Sequence, residues 1–303
     1  MSRDIISNMP QSVFARIKNL SIERRQDFGN LLIRYATERF LYRLASSPYG
    51  GQFVLKGGNL FVIWQNGDNY RPTVDSDLLC FGEATPEHLE TVFREVASSG
   101  NPNEDGIRFD CSKMAVSPIR EETEYGGTRV SFQAFIARTR IVMQFDIGIG
   151  DAITPAPELV EFPVLLDHPA PRLNAYPMPT TIAEKMEAMA SRGSMNSRMK
   201  DYFDLWLLAE LFEHDMKIMK LAIANTFARR GTPLPDTLPP YMTEELARRP
   251  EKPLQWKAFV RKNKLDLVPQ DFAEVMRQIV AFIGPVLEAQ TGKLTWIPGK
   301  GWR

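Results

Sequence analysis

The chain has 303 residues, 44% hydrophobic and 24% charged, the balance of a folded protein with one large or two modest domains. No apolar run is long enough to span a membrane, no apolar signal segment follows the polar start Met1-Ser2-Arg3-Asp4-Ile5, and neither cysteine has a Cys/His partner at zinc spacing, so a cytoplasmic protein with reduced thiols at Cys80 and Cys111 is expected. Net charge is zero, but residues 50–165 hold 9 Lys/Arg against 17 Asp/Glu and residues 229–303 hold 13 against 8, so the centre suits metal ions and the tail suits a polyanion such as RNA.

Apolar residues at helical spacing, including Val13, Ile17, Leu20, Phe28, Leu31, Tyr35, Phe40 and Leu44, predict two helices over residues 11–46, broken around Ser21. Phe53 to Leu55 then reads as a short strand entering the Gly57-Gly58 turn, with a helical pattern from Leu60 to Trp64. Paired glycines let backbone N–H groups point into one concavity suited to phosphate, and Lys56 adds a cation. Next come Arg71, Thr73 and a segment whose Val74, Leu78 and Leu79 suggest a strand. Asp75 and Asp77 sit two apart in it, so both carboxylates face the same way. Like charges that close repel, and a divalent cation is the usual compensation; Mg²⁺ takes one or two carboxylates plus substrate phosphates.

Thr85 caps a helix that starts with Pro86 and runs to about Ala97. Residues 107–149 read as strands, with a hairpin turning around Arg138 and Thr139. In its second strand Phe145 and Ile147 take one face and Gln144, Asp146 and Gly148 the other, which makes Asp146 either a third metal-proximal carboxylate or a strand acid bonded to backbone or solvent. His88, His168 and His214 lie in exposed-looking contexts and suggest no nucleophile's base or zinc site. Proline-rich residues 151–179 read as an extended linker. Thr181-Ile-Ala-Glu184 forms a capping box opening a helix through Ser191, on which Lys185 reads as a solvated residue; after Gly193 a second helix carries Asp201 and Asp204 on one face. Further helices are expected near Glu244 and over 253–263 and 270–289, and the tail from Trp296 has no regular signature.

Lys56-Gly57-Gly58, followed by Arg71-x-Thr73-x-Asp75-x-Asp77, resembles the AbiEii/AbiGii toxin family within the DNA polymerase beta-like nucleotidyltransferase superfamily. Glu38-Arg39-Phe-Leu-Tyr-Arg43 upstream, Glu184-Lys185, and Lys200-Asp201-x-x-Asp204-Leu205 downstream extend the resemblance over residues 12–210. It implies an α+β fold: a small mixed or antiparallel nucleotidyltransferase sheet flanked by helices in residues 1–165, and a mostly α-helical C-terminal lobe in residues 166–303 that completes the active site. It implies Mg²⁺, with Mn²⁺ as an alternative, held by Asp75 and Asp77 with Asp146 as third ligand. Lys56, Gly57, Gly58, Arg71 and Thr73 are the expected nucleotide-binding residues. Arg71 is expected either to hold the triphosphate or to brace the strand. Lys185 and Asp201 join the catalytic set, Asp201 orienting Lys185 or binding the nucleotide. The residue between the two acids is usually apolar in the family; Ser76 stands there, with a hydroxyl either unsatisfied or bonded to a neighbour.

The activity implied is NTP-dependent, pyrophosphate-releasing nucleotidyl transfer to a tRNA 3′ end or another RNA, blocking translation as the toxin of a type IV-like toxin–antitoxin pair used in phage defence. The partners implied are NTP, the RNA acceptor, which the C-terminal basic helices are expected to contact, and an AbiEi-like antitoxin or an antitoxin kinase. Some relatives carry a serine at the position of Thr73 that such a kinase phosphorylates. Two alternatives stand beside this reading: an NTP-binding regulatory protein without turnover, and transfer to a protein or small-molecule hydroxyl.

Overall fold

The structure is a computed structural model of the chain and describes residues 8–67, 71–119, 126–265, 268–288 and 293–303. It divides into two compact units, residues 1–150 with 158–175, and residues 151–157 with 176–303.

The first unit opens with helices α1 (Met9–Arg24) and α2 (Phe28–Ala45). Their break falls later than Ser21, which lies inside α1. Arg25 takes a left-handed conformation at φ 52 and ends α1, and the Asp27 side chain accepts from the Asn30 N–H to start α2. Strand β1 (Phe53–Lys56) passes through a 3-10 turn at Gly57–Asn59 into α3 (Leu60–Trp64). Strand β2 (Ser76–Cys80), α4 (Pro86–Ser98) and α5 (Pro102–Asp105) follow, with the Thr85 hydroxyl accepting from the His88 N–H as the sequence predicts. Strands β3 (Ile107–Ile119), β4 (Gly127–Ile136) and β5 (Thr139–Ile149) form an antiparallel meander.

The stretch read as linker contains two more strands, β6 (Glu158–Glu161) and β7 (Arg172–Ala175). Short strands among prolines lack the alternating apolar signature, but β7 pairs parallel with β1 and carries β6 on its outer edge. The result is one seven-stranded mixed sheet, ordered β3-β4-β5-β2-β1-β7-β6, with β2 and β5 parallel. A ring cluster holds one face: Phe40 of α2 stacks on Phe93 of α4 at 5.2 Å and meets Phe145 at 4.7 Å and Phe132 at 5.2 Å. All four are essentially inaccessible, so truncating any one to alanine should cost about 3–5 kcal/mol.

The second unit is mostly helical: α6 (Met178–Arg192), α7 (Met199–Leu211), α8 (Met216–Arg230), α9 (Glu244–Ala247), α10 (Glu251–Asn263) and α11 (Phe272–Leu287). The expected capping box is overturned. Proline is tolerated in a first helical turn, so α6 begins at Met178 after Pro177, and Thr181 lies inside the helix with its hydroxyl buried and unpartnered. The tail is also more ordered than its sequence suggests: β8 (His214–Asp215), β9 (Thr295–Ile297) and β10 (Gly301–Trp302) form a small antiparallel sheet. His214 is buried rather than exposed, with its ring nitrogen 3.0 Å from the Leu208 carbonyl, and burial holds its pKa below the ordinary value. No helix among the described residues is long and apolar enough to cross a membrane.

Candidate active site

Strand register lays out the charges of the first unit. Lys56 pairs with Asp77, Asp77 with Asp146, and Asp146 with Arg129 across β1, β2, β5 and β4. Residues opposite one another share a sheet face, so this row reads plus, minus, minus, plus. The neighbouring row, Leu55, Leu78, Ile147 and Thr128, is buried.

The Gly57-Gly58 turn lies directly against the acidic segment. A Cβ on Gly57 would stand 1.9 Å from Asp77 Oδ2, and Gly57 itself has φ +72. A Cβ on Gly58 would stand 2.7 Å from Thr73 Oγ1 and 3.4 Å from an Arg71 guanidinium nitrogen. Both glycines are therefore needed for clearance, and Gly57 for its left-handed backbone as well. Arg71 is buried, with its guanidinium 5.9 Å from the ring centroid of Phe61 on α3. The Thr73 hydroxyl is buried with no hydrogen-bond partner. Ser76 proves satisfied: the Asn59 side-chain amide donates to its hydroxyl at 3.0 Å, behind the carboxylates.

The two acids of the motif differ in setting. Asp75 is exposed and accepts from the Gln144 amide at 2.9 Å, whereas Asp77 is half-buried against Gly57. Asp146 is held bidentately by Arg129, with both nitrogen–oxygen distances 2.8 Å. Those hydrogen bonds to Asp146 raise the Arg129 pKa, and the charges of Asp75 and Asp77 raise it further, against an opposing burial effect. Arg129 thus senses all three carboxylates.

Asp75 and Asp77 are hard oxygen donors on one short segment, the donor type Mg²⁺ prefers. Among the described residues no group of three or more His, Cys, Asp or Glu is placed to hold a metal ion. Two carboxylates with phosphate oxygens and water meet the usual requirement of Mg²⁺, so the donor set fits that ion, with Asp146 engaged elsewhere.

The other two expected catalytic residues lie in the second unit. Lys185 of α6 donates to Asp201 of α7 at 3.4 Å and forms a short ion pair with Asp204 one turn further on. Asp204 is fully buried, and one Asp201 oxygen is buried without a partner. Lys185 is therefore held between two helices and is not the solvated side chain its local sequence suggests. Arg230, at the end of α8, binds Glu184 at 3.0 Å and Glu187 at 2.7 Å, which flank Lys185 on α6, and Asp151 at 3.2 Å. Burial alone would lower its pKa, but these carboxylates raise it.

Arg129, Gln144 and Asp204 were not singled out as site residues from the sequence. The hairpin turns one residue earlier than expected, at Ala137-Arg138, and that register sets Asp146 opposite Arg129; a turn at Arg138-Thr139 would have set it opposite Ser131. Asp204 shares a helix face with Asp201, which narrows but does not identify its partner.

A family model described as "Nucleotidyl transferase AbiEii toxin, Type IV TA system" matches residues 39–278. The crystal structure of JHP933 from Helicobacter pylori has a TM-score of 0.51 at 15% identity, covering 85% of this chain and 90% of that one. A crystal structure of a candidate nucleotidyltransferase from H. pylori gives the same TM-score and identity, covering 85% and 92%. At this identity the likeness shows a shared fold. No curated protein matches the chain.

Proposed function

The chain belongs to the AbiEii nucleotidyltransferase toxin family of type IV toxin–antitoxin systems, and from that premise we propose that it transfers a nucleotide from an NTP to an RNA 3′ end, with tRNA as the acceptor and arrested translation as the consequence. The observation that supports this most is the row Lys56, Asp77, Asp146, Arg129 with the Gly57-Gly58 turn packed against it. It sets a glycine turn and a cation beside two oxygen donors, the equipment for holding a triphosphate while charge develops on it.

Asp75 and Asp77 would hold Mg²⁺. Bound there, the ion supplies neutralisation and orientation of phosphate oxygens. Lys56 contributes a positive charge on the same face, and the absence of a side chain at Gly57 lets the turn pack directly against the Asp77 carboxylate. Asp146 acts as a third carboxylate only after release from Arg129. Lys185 acts on the nucleotide's phosphates, and Asp201 positions it. A type IV system implies an antitoxin partner. If that antitoxin works by phosphorylating Thr73, the segment around Thr73 must open first, because the hydroxyl is buried. A phosphate there adds about two negative charges beside Asp75 and Asp77, repelling the triphosphate.

The test is incubation of the purified chain with Mg²⁺, each labelled NTP in turn and total tRNA, beside the Asp75→Ala/Asp77→Ala variant. Label entering tRNA only with intact carboxylates is the expected result. Measurable NTP binding without label in RNA would overturn the RNA acceptor and favour a protein or small-molecule acceptor, or a regulatory role.

A further inference from the structure

The sheet face that carries the carboxylates continues away from them along β3, β4 and β5. Alternate residues share a face, so the rows after Asp146 and Arg129 are Gln144 with Ser131, then Val142 with Gln133 and Asp110, then Arg140 with Phe135 and Arg108. Val142 is 60% exposed, Arg140 is exposed, and the Arg108 side chain is 56% exposed. The opposite face is the one closed by Phe40, Phe93 and Phe132.

We propose that this open face is the track for the unpaired nucleotides preceding the reacting 3′ end of a single-stranded RNA, with Arg140, Phe135 and Arg108 gripping the strand upstream. Three observations support it. From Asp146 to Arg140 is six residues, about 20 Å of strand, long enough for several unpaired nucleotides. The charge runs from acidic at Asp75, Asp77 and Asp146 to cationic at Arg140 and Arg108, so phosphates are attracted at the far end and the metal-binding acids stand at the near end. Arg108 lies over the Phe135 ring at 4.6 Å, a combined aromatic and guanidinium surface of the kind on which bases stack. Asp110, 3.7 Å from Arg108, tempers the charge without reversing it. In the basic tail Lys252 is buried and donates to the Asn196 carbonyl, and Arg230 is held by three carboxylates, whereas Lys257 and Arg261 of α10 are exposed and supply the competing surface for the test.

This inference rests on the RNA-acceptor reading, so binding is measured separately from transfer. Fluorescence anisotropy with a short single-stranded RNA, across a salt series and without NTP, compares the full chain with Arg108→Gln/Arg140→Gln, with Phe135→Leu, and with Lys257→Gln/Arg261→Gln on α10. The expected result is about tenfold weaker binding for the Arg108/Arg140 variant, with its log–log salt slope shallower by about 1.4 for two lost single-strand contacts. Phe135→Leu should weaken binding with the salt slope unchanged. In the transfer assay the Arg108/Arg140 variant should raise KM for RNA while leaving kcat and KM for NTP unchanged. Wild-type binding by the Arg108/Arg140 variant, weakening confined to the α10 variant, no binding of single-stranded RNA by the native chain, or a face bound instead by the antitoxin protein would each overturn the proposal. Loss of transfer in every assay with intact, arginine-dependent RNA binding would overturn the activity and leave the track standing.

Discussion

The two charge clusters of this chain answer the same electrostatic problem in opposite ways. In the sheet, Lys56, Asp77, Asp146 and Arg129 are spaced by strand register, partly open to solvent, with Asp75 exposed beside them. Between α6 and α7, Lys185, Asp201 and Asp204 are packed away from water, one cation against two anions. Exposed charges are cheap to keep and available to a ligand. Buried ones persist only by satisfying each other, so disturbing them unsettles the fold as well as the chemistry. The first cluster should therefore separate activity from stability, and the second should not.

The largest effect expected is on the buried side. Asp204→Ala removes a fully buried carboxylate from Lys185 and should cost about 3–5 kcal/mol, read as a fall in denaturant midpoint. A loss below about 1 kcal/mol would show that the cluster is not a stability element and would break the comparison.

Glu38 extends the same logic to pH. It is fully buried; burial first, opposed by Arg39 and the Leu165 N–H, pushes its carboxyl up to about 8. Its Oε1 and the Arg39 Nε are 3.7 Å apart and neither has a hydrogen-bond partner, so the pairing is weak. Because the folded-state value lies above the unfolded value of 4.5, folding favours the protonated form. That contribution, on the order of a few kcal/mol, is complete below pH 4.5 and is lost as pH rises through about 8. Glu38→Gln, which can still accept from Leu165, should flatten the melting temperature between pH 5 and about 8 relative to the native chain. An unchanged profile would contradict the assignment.

Gly57→Ala belongs to the exposed cluster and should have an intermediate effect. The left-handed backbone costs about 1–2 kcal/mol with a Cβ present, and the added carbon collides with Asp77 Oδ2. A modest drop in stability with a much larger drop in Mg²⁺-dependent NTP binding is the expected outcome; equal losses in both would mean that the turn is merely structural. The smallest effect is expected at Ser76→Ala, which strands one Asn59 donor and should cost about 1 kcal/mol without altering nucleotide binding.

How much was legible follows from the same contrast. Within residues 53–80 alternation and a glycine pair marked β1, the turn after it and β2, so Gly57 and Asp77 could be placed from sequence; Asp75, read as part of the same strand, lies just before β2 begins at Ser76. The Asn59–Ser76 bond and the Arg129–Asp146 pair required register between separate strands, which local patterns leave open until a turn is counted. Strands β6 and β7 are short, proline-flanked and held by partners far away in the chain, so no local signal marked them. The Lys185 cluster depends on packing of α6 against α7; its residues were recognisable, but their burial was not, because Lys185 reads locally as a solvated charge. The capping box failed for a related reason: Thr181 and Glu184 have the right spacing, but Pro177 and Pro179 allow the helix to begin a turn earlier.

The most direct measurement is pyrophosphate release with Mg²⁺, NTP and RNA by the native chain and by Asp75→Asn/Asp77→Asn, with melting temperature recorded on the same samples. The account predicts that release falls by about 10²-fold or more while the melting temperature without ligand stays within about 2 °C, since exposed and half-buried carboxylates add little to stability. Undiminished release by the variant would contradict the assignment of Asp75 and Asp77 as the metal-holding pair.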